Sequence, residues 1–172
     1  CPVQNEWLVA SFKDNKIWIV NNSTGNVSEL IRPAVYRNDT CYAFFSSNPD
    51  TVFLLCEATL QIYFRKQNKW EKISFPAPLN KGTLTCMTID NKGNYWVGTR
   101  RNGILVYNPV NKAIWTPDKN LFEPHIINAL QFDGKNNCVW VGTHTAGLFN
   151  VDINSKTFTR MRRDDSSPNS FH

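Results

Sequence analysis

The chain has 172 residues, of which 41% are hydrophobic and 13% aromatic, and its formal net charge at pH 7 is +5. This length and apolar content allow a sizeable buried core and exclude a disordered chain. Most of the excess of basic residues lies at Arg100 and Arg101 and at 160–163, between predicted strands. Such short clusters indicate solvated loops, so no nucleic-acid partner is expected.

Residues 1–81 predict two sets of short strands separated by polar turns. The first set has three strands and lacks its opening strand, whereas the second set has four. A turn over 46–50 is expected to end the opening strand of the second set. The predicted strands are 7–11, 17–20, 27–31, 41–45, 52–56, 60–64 and 70–75.

Residues 84–161 predict two further sets of four strands and no helix. Asp90 and Asp133 occupy the same position in the first turn of each set, and we interpret them as turn residues because Asp side chains bond to nearby backbone amides. The predicted strands are 84–89, 95–99, 104–107, 112–116, 126–132, 139–143, 148–151 and 157–161.

A four-residue motif, Trp-Val-Gly-Thr, recurs in the second half of the chain. It occupies 96–99 and returns 44 residues later at 140–143, and weaker copies place Phe53 and Leu8 at the Trp position. A fixed period in the forties, with two strands and a tight connection in each unit, predicts a repeat architecture. The Gly of the motif indicates close packing of one sheet on the next or a bulge at the strand end.

Short strands in groups of four predict an all-β fold, a β-propeller fragment of about four blades, each a four-stranded antiparallel sheet. The predicted blade units within 1–172 are approximately 1–35 (incomplete), 36–80, 81–120 and 121–165, with a link to a next blade over 166–172. The incomplete first unit and this link predict a piece of a larger propeller. A cut propeller exposes apolar faces and strand edges, so self-association is expected.

Two stretches of the sequence resemble the two-component regulator propeller repeat. They are Gly-Asn-Tyr-Trp-Val-Gly-Thr-Arg-Arg-Asn-Gly-Ile-Leu-Val-Tyr-Asn-Pro at 93–109 and Val-Trp-Val-Gly-Thr-His-Thr-Ala-Gly-Leu-Phe-Asn-Val-Asp at 139–152. The resemblance is specific over 82–172 and weak over 1–81, where Leu8 or Phe53 replaces the Trp.

This resemblance implies a function in signal transduction. Propellers of the family form the periplasmic, extracytoplasmic sensor domains of hybrid two-component systems, especially in Bacteroides-type bacteria, and sense oligosaccharides to control polysaccharide-utilisation genes. The chain is then expected to be a non-catalytic ligand-sensing segment with an oligosaccharide as its partner. Histidine kinase activity and a transmembrane segment, the only link to a membrane, would lie in modules outside this sequence.

Two other functions are compatible with the sequence. A free-standing propeller can act as a protein–protein interaction module, and a propeller lyase or glycosidase can carry its catalytic residues in other blades. The sequence itself contains no catalytic motif: no G-x-S-x-G, no Walker loop and no HExxH. No catalytic residue, metal site or cofactor is therefore expected.

The five cysteines contain no CxxC pair, so neither a zinc site nor a redox motif is indicated. Cys1 has two interpretations. It is either the acylated cysteine of a lipoprotein or a boundary at which a longer chain was cut.

Ligand binding is the function that the predicted loops favour, by analogy with other propellers. The loops between the second and third strands share a face with the connections between blades, and that face is expected to hold the site. Arg100 and Arg101 can grip a polar or acidic sugar with forked hydrogen bonds, and Phe122 or Trp115 can stack on a sugar ring. The candidate ligand-binding residues are Arg100, Arg101, Asn102, His144, Thr145, Phe122 and His125. Loops 13–15 and 57–59 and connections 37–40 and 79–81 are the other candidates on this face.

Overall fold

The computed structural model describes residues 2–3, 6–11, 14–76 and 83–161. These residues form four antiparallel sheets of four strands each, which confirms the predicted fold class. The chain divides into two compact units, residues 1–84 and 85–172, and each unit is described by itself.

Unit 1 contains two sheets in which the order of the strands in space follows their order in the chain. Sheet 1 contains β1 (Pro2–Val3), β2 (Glu6–Ser11), β3 (Lys16–Asn21) and β4 (Val27–Glu29). Sheet 2 contains β5 (Cys41–Asn48), β6 (Thr51–Cys56), β7 (Thr59–Phe64) and β8 (Lys69–Ser74). The connection between the two sheets includes a short 3-10 helix, Ala34–Tyr36.

The core of unit 1 joins one face of sheet 1 to one face of sheet 2. Leu8 and Ile17 of sheet 1 belong to a single buried apolar cluster with Val52 and Leu54 of sheet 2. Side chains alternate between the two faces of a strand, so residues two apart on β6 share the buried face. The weak first copy of the repeat therefore still supplies the apolar face that its neighbour requires.

The opposite face of sheet 1 is apolar and partly exposed. Trp7 lies directly across from Val20, and Val20 from Val27, in the register of β2, β3 and β4. Trp7 is 46% exposed and Val9 is 47% exposed, whereas the equivalent positions of sheet 2, Val52 and Leu54, are fully buried. Self-association would bury this exposed apolar row, as predicted for exposed apolar patches. The association itself stays a prediction.

Unit 2 repeats the same meander twice. Sheet 3 contains β9 (Leu84–Ile89), β10 (Tyr95–Thr99), β11 (Ile104–Tyr107) and β12 (Ile114–Trp115). Sheet 4 contains β13 (Ile127–Asp133), β14 (Cys138–Thr143), β15 (Leu148–Asp152) and β16 (Phe158–Met161). A one-turn helix, α1 (Lys119–Phe122), lies in the connection between these sheets.

The Trp of the repeat motif lies at the centre of the core of unit 2. Trp96 is fully buried and shares an apolar cluster with Val139, Val141 and Phe149 of sheet 4. Its ring meets the ring of Trp115 edge to face, with 5.4 Å between the ring centroids. The large aromatic surface thus fills the space between sheets 3 and 4.

The two recurring aspartates bind the turn and the Trp together. Asp90 accepts hydrogen bonds from the backbone amides of Lys92 and Asn94, both at 2.9 Å, and from the indole Nε1 of Trp96 at 2.8 Å. Asp133 repeats the pattern, but its bond from Trp140 Nε1 is longer, at 3.4 Å. The interpretation of both residues as turn residues is confirmed, and each also holds the indole of its repeat.

The two motif glycines have different reasons for being glycine. A Cβ atom at Gly98 would lie 2.6 Å from Cys86 Sγ and 2.7 Å from Ile127 Cγ2, so sheet 4 packs directly on this backbone. A Cβ at Gly142 would lie 3.4 Å from Ala129 Cβ, an ordinary contact. Gly142 pairs with Ala129 beside a register shift in β13. Close packing between sheets, one of the two predicted reasons, applies to Gly98. A bulge, the other predicted reason, applies to Gly142.

Three expectations about secondary structure are wrong. Sheet 1 has an opening strand, because Pro2–Val3 pairs with Glu6 and Trp7, and a two-residue strand carries no periodic signal. Strand β5 continues through the predicted turn to Asn48, with a register shift between Phe45 and Asn48. A helix is present, but α1 is too short to show helical periodicity in the sequence.

The strands of the four sheets otherwise fall where the sequence predicts them, within a few residues at each end. β9, β10 and β11 have the predicted limits, whereas β12 is shortened to Ile114–Trp115. The predicted blade limits stay predictions, and the link over 166–172 lies outside the described residues.

The contrast between the two glycines predicts different effects of one substitution. We expect Gly98→Ala to lower the free energy of unfolding by about 1–3 kcal/mol, because the added methyl group overpacks a contact between two sheets. Gly142→Ala, the matched control, should stay within about 1 kcal/mol of wild type, because alanine also reduces the entropy of the unfolded chain. Urea denaturation followed by circular dichroism measures both. Equal losses would contradict the packing explanation.

The two aspartates form a second matched pair. We expect Asp90→Ala to lower the free energy of unfolding by about 2–4 kcal/mol, because the buried indole N–H of Trp96 loses its acceptor together with two turn amides. Asp133→Ala should lower the free energy of unfolding by clearly less, since Trp140 is only partly buried. Thermal unfolding of the two variants gives the comparison. An Asp133→Ala variant at least as unstable as Asp90→Ala would refute this ranking.

Candidate ligand-binding surfaces

The loop that carries Arg100, Arg101 and Asn102 is held by the Thr of the repeat motif. Thr99 Oγ1 donates to the carbonyl of Gly103 at 2.9 Å and accepts from the amide of Asn102 at 2.8 Å. Gly103 has φ +63°, and a Cβ there would lie 2.9 Å from the backbone of Phe122. A side chain is therefore excluded by backbone conformation and by space, and the loop is fixed beside α1.

The second copy of the motif builds the equivalent loop in the same way. Thr143 Oγ1 donates to the carbonyl of Gly147 at 2.8 Å and accepts from the amide of Ala146 at 2.9 Å. The loop that holds His144 and Thr145 thus has the same clamp as the loop at 100–102. The Thr in Trp-Val-Gly-Thr is explained by this clamp.

The connection between sheets 3 and 4 contacts both loops. Asp118 begins α1 by accepting a hydrogen bond from the amide of Leu121 at 3.1 Å, which satisfies a free donor of the first helical turn. Beyond α1, the carbonyl of Ile126 accepts from the amide of His144 at 2.9 Å, and His125 Nδ1 lies 2.9 Å from Thr145 Oγ1. This connection lies between the two motif loops.

The structure therefore places six of the seven predicted site residues in this connection or in the two loops that lie beside it. We call this group, Arg100, Arg101, Asn102, His125, His144 and Thr145, the unit 2 loop cluster. Arg100 and Arg101 are exposed and have no ion pair or hydrogen bond among the described residues. Two uncommitted guanidinium groups give the cluster a positive potential and forked donors for a polar ligand.

Phe122 is the predicted site residue that the structure excludes. Its side chain is fully buried, and its ring packs edge to face on Phe149 with 5.2 Å between centroids. A ring in the core offers no face to a sugar, so the expectation that Phe122 stacks on a ligand is wrong. Trp115 is only partly buried, but its ring contacts Trp96, and Lys156 Nζ lies 4.8 Å from the ring centroid.

Unit 1 has an equivalent arrangement between sheets 1 and 2. Asn15, in the loop after β2, donates from Nδ2 to the carbonyls of Arg37 at 2.7 Å and Asp39 at 3.2 Å. In the loop after β6, the amide of Glu57 donates to the carbonyl of Thr40 at 3.2 Å, the counterpart of the His144–Ile126 bond. The predicted loops at 14–15, 37–40 and 57–59 thus meet, whereas residues 13 and 79–81 lie outside the described residues.

Arg32 is a buried polar residue of unit 1 whose structural role was not predicted from the sequence. Its side chain is 3% exposed. Nη2 donates to the carbonyl of Asn15 at 2.6 Å, and Nη1 donates to the carbonyl of Asp39 at 3.2 Å and to Cys41 Sγ at 3.0 Å. The signal in the sequence is a single arginine in the apolar stretch 30–35, which is rare unless the arginine has dedicated partners.

The charge of Arg32 affects a neighbouring thiol. The pKa of Cys41 lies below its ordinary value, chiefly because of a hydrogen bond with Cys56 and also because of the positive charge of Arg32, while burial acts in the opposite direction. Arg32 makes no ion pair with a carboxylate among the described residues. Its charge is solvated by carbonyl groups and a sulfur atom, an arrangement that leaves net positive potential in a buried place.

The described residues contain neither a metal-binding cluster nor a membrane-spanning helix. Across 2–3, 6–11, 14–76 and 83–161, no group of three or more His, Cys, Asp or Glu side chains is placed to hold a metal ion. In the same part of the chain, neither helix has the length and apolar character needed to cross a bilayer.

The meandering four-stranded sheets and their loop clusters define the chain as a fragment of a β-propeller. A model of the two-component regulator propeller family matches residues 78–101. The matched stretch includes the Trp96 motif, so the resemblance predicted from that motif is confirmed. Among curated proteins, no sequence matches the chain significantly.

Solved structures with the same fold include extracellular domains described as parts of hybrid two-component systems of B. thetaiotaomicron. One aligns with 99% of this chain at a TM-score of 0.77 and 17% identity, and another with 94% at 0.66 and 18%. The chain spans only 22% and 20% of those structures, respectively. A streptogramin B lyase aligns with 92% of the chain at a TM-score of 0.66 and 14% identity, and the chain covers 55% of it.

The buried guanidinium of Arg32 leads to a prediction about stability. We expect Arg32→Met to lower the free energy of unfolding by about 2–4 kcal/mol, because several buried carbonyls lose their donor at once. Arg37→Met, on the exposed side of the same connection, should cost less than about 1 kcal/mol. Denaturant titration followed by Trp fluorescence compares them. An Arg32→Met protein as stable as wild type would show that the network contributes nothing.

Proposed function

We propose that this chain is a ligand-sensing propeller segment of an extracytoplasmic, periplasmic sensor domain of a hybrid two-component system, and that its ligand is an oligosaccharide. The proposal depends on one observation, the grouping of six predicted site residues in the unit 2 loop cluster. The matched family repeat at 78–101 and the likeness to extracellular domains of such systems support it.

The chemistry of the loop cluster suits a hydroxyl-rich ligand. Arg100 and Arg101 offer forked N–H donors, and His125 and His144 offer ring nitrogens that donate or accept. Thr145 is exposed and adds a hydroxyl group. Because Thr99 and Thr143 fix the loop ends, the backbone of both loops loses little conformational freedom when a ligand binds, which favours affinity.

A sensing role fits the described residues better than catalysis does. The unit 2 loop cluster contains no carboxylate among its six members, whereas lyases and glycosidases usually place an acid or base at the reacting bond. The likeness to streptogramin B lyase, at 14% identity, concerns the fold alone. We therefore propose that this segment binds its ligand without transforming it, and that any kinase activity belongs to other modules of a longer protein.

Binding to neutral and acidic oligosaccharides tests this function directly. We expect an array of plant and host oligosaccharides to yield at least one ligand for the purified chain. That ligand should shift the amide resonances of Arg100–Asn102 and His144–Thr145 in a heteronuclear NMR titration. Arg100→Ala and Arg101→Ala should each weaken binding by about ten- to 150-fold, which corresponds to one charge-assisted contact of about 1.5–3 kcal/mol.

Lys135→Ala provides the control, because Lys135 is an exposed cation of the same unit that lies in a strand turn outside the loop cluster. This variant should bind as wild type does. Binding that the arginine variants leave unchanged, or resonance shifts confined to other loops, would refute the assignment of the site. Absence of any ligand on the array would refute sugar binding by this segment.

A further inference from the structure

A cavity in unit 1 lies between the turn after β2 and the connection that follows β4. Its volume is 150 Å³, and its polar lining comes from Asp14, Asn15, Lys16, Glu29, Arg32 and Arg37. A water molecule takes up about 30 Å³ in the liquid. The cavity therefore has room for about five waters, or for a carboxylate together with part of the ring that bears it.

The charges around this cavity do not balance. Lys16 pairs with Glu29 at 3.2 Å, and Lys72 pairs with Asp39 at 3.6 Å behind the connection. Among the described residues that line the cavity, Arg32 and Arg37 are left opposite a single carboxylate, that of Asp14. A site with excess positive charge attracts an anion, and the attraction is strongest beside the buried Arg32, where the local dielectric is lowest.

Arg37 lies at the mouth of the cavity, and part of its guanidinium group is available to donate hydrogen bonds to a ligand. Its Nε donates to the carbonyl of Arg32 at 2.7 Å, which fixes the base of the side chain. Its two terminal nitrogens have no acceptor among the described residues, and the side chain is exposed. An arginine anchored at Nε, with both Nη groups open, can bind a carboxylate through parallel hydrogen bonds.

The cavity also offers acceptors. Among the described residues, the hydrogen bonds that join Asp14 to another side chain link it to Ser11, at 3.3 and 3.5 Å, so its carboxylate can accept from further hydroxyl groups. Open cationic donors and an open carboxylate acceptor in one small cavity suit a molecule that carries a carboxylate and several hydroxyl groups. A hydrocarbon acid has no hydroxyl group to donate to Asp14, so it would make only the contact with the cations.

We propose that this cavity is a binding site for an acidic sugar of the uronic acid class. The sugar carboxylate binds the terminal nitrogens of Arg37 in the field of Arg32, and its hydroxyl groups donate to Asp14. This site lies entirely in unit 1 and does not rest on the proposed function, which concerns the unit 2 loop cluster.

The test uses the purified chain, with glucuronate, glucose and acetate as probes in heteronuclear NMR titrations. Glucuronate should shift the Arg37 Nε–H resonance and the amides of Asn15 and Lys16, and it should bind at least tenfold more tightly than glucose or acetate. Added sodium chloride should weaken the binding, because the contact is charged. No shift at these resonances, or equal affinity for acetate and glucuronate, would overturn the proposal.

Three variants locate the contacts. Arg37→Met should reduce glucuronate affinity at least tenfold, and Arg37→Lys should retain part of it, because it keeps the charge without the fork. Asp14→Ala should remove the preference for glucuronate over acetate. Lys66→Met is the matched control, since Lys66 is an exposed cation of unit 1 paired with Asp50 away from the cavity. Loss of binding in the Lys66 variant to the same degree would indicate general charge attraction and overturn the site.

Discussion

The hydrogen bond from the Trp96 indole to Asp90 is the constraint that connects the turn, the core and the repeat. A buried indole supplies a large apolar surface, but its N–H requires an acceptor. Asp90 meets that requirement at 2.8 Å and at the same time closes the turn through two backbone amides. The turn sequence and the core residue are therefore selected together, which explains why both recur with the same period in the fourth sheet.

The sequence predicted the parts of the fold that repeat and missed those that do not. β9, β10 and β11 follow from alternating apolar residues between strong turns, and their limits agree with the structure. β1 and α1 are set by local pairing and one capping residue, too few positions for any periodic pattern. The strand β5 continued through polar residues because β6 was available to pair with it, a tertiary effect that intrinsic preferences do not contain.

The candidate site was predictable only where the repeat itself carries it. Loop positions 100–102 and 144–145 follow from the motif, and the Thr clamps confirm that both loops are built alike. Phe122 was misjudged because an aromatic residue in a connection is equally suited to a ligand and to a core, and only packing against Phe149 decides. Arg32 was missed because most of its acceptors are backbone carbonyls, which every residue has and which a sequence pattern therefore does not reveal.

The Arg32 network also has a consequence for the order in which unit 1 becomes structured. Its guanidinium bonds to the carbonyl of Asn15, 17 positions before it, and approaches the side-chain oxygen of Gln61, 29 positions after it. The first hairpin, the connection and the third strand of sheet 2 must all be in place before this charge is solvated by protein. An intermediate with only one sheet formed would hold a desolvated cation without its partners, so such states are disfavoured. Unit 1 is thereby driven to fold and to open as one cooperative element, although its sheets are built from separate local meanders.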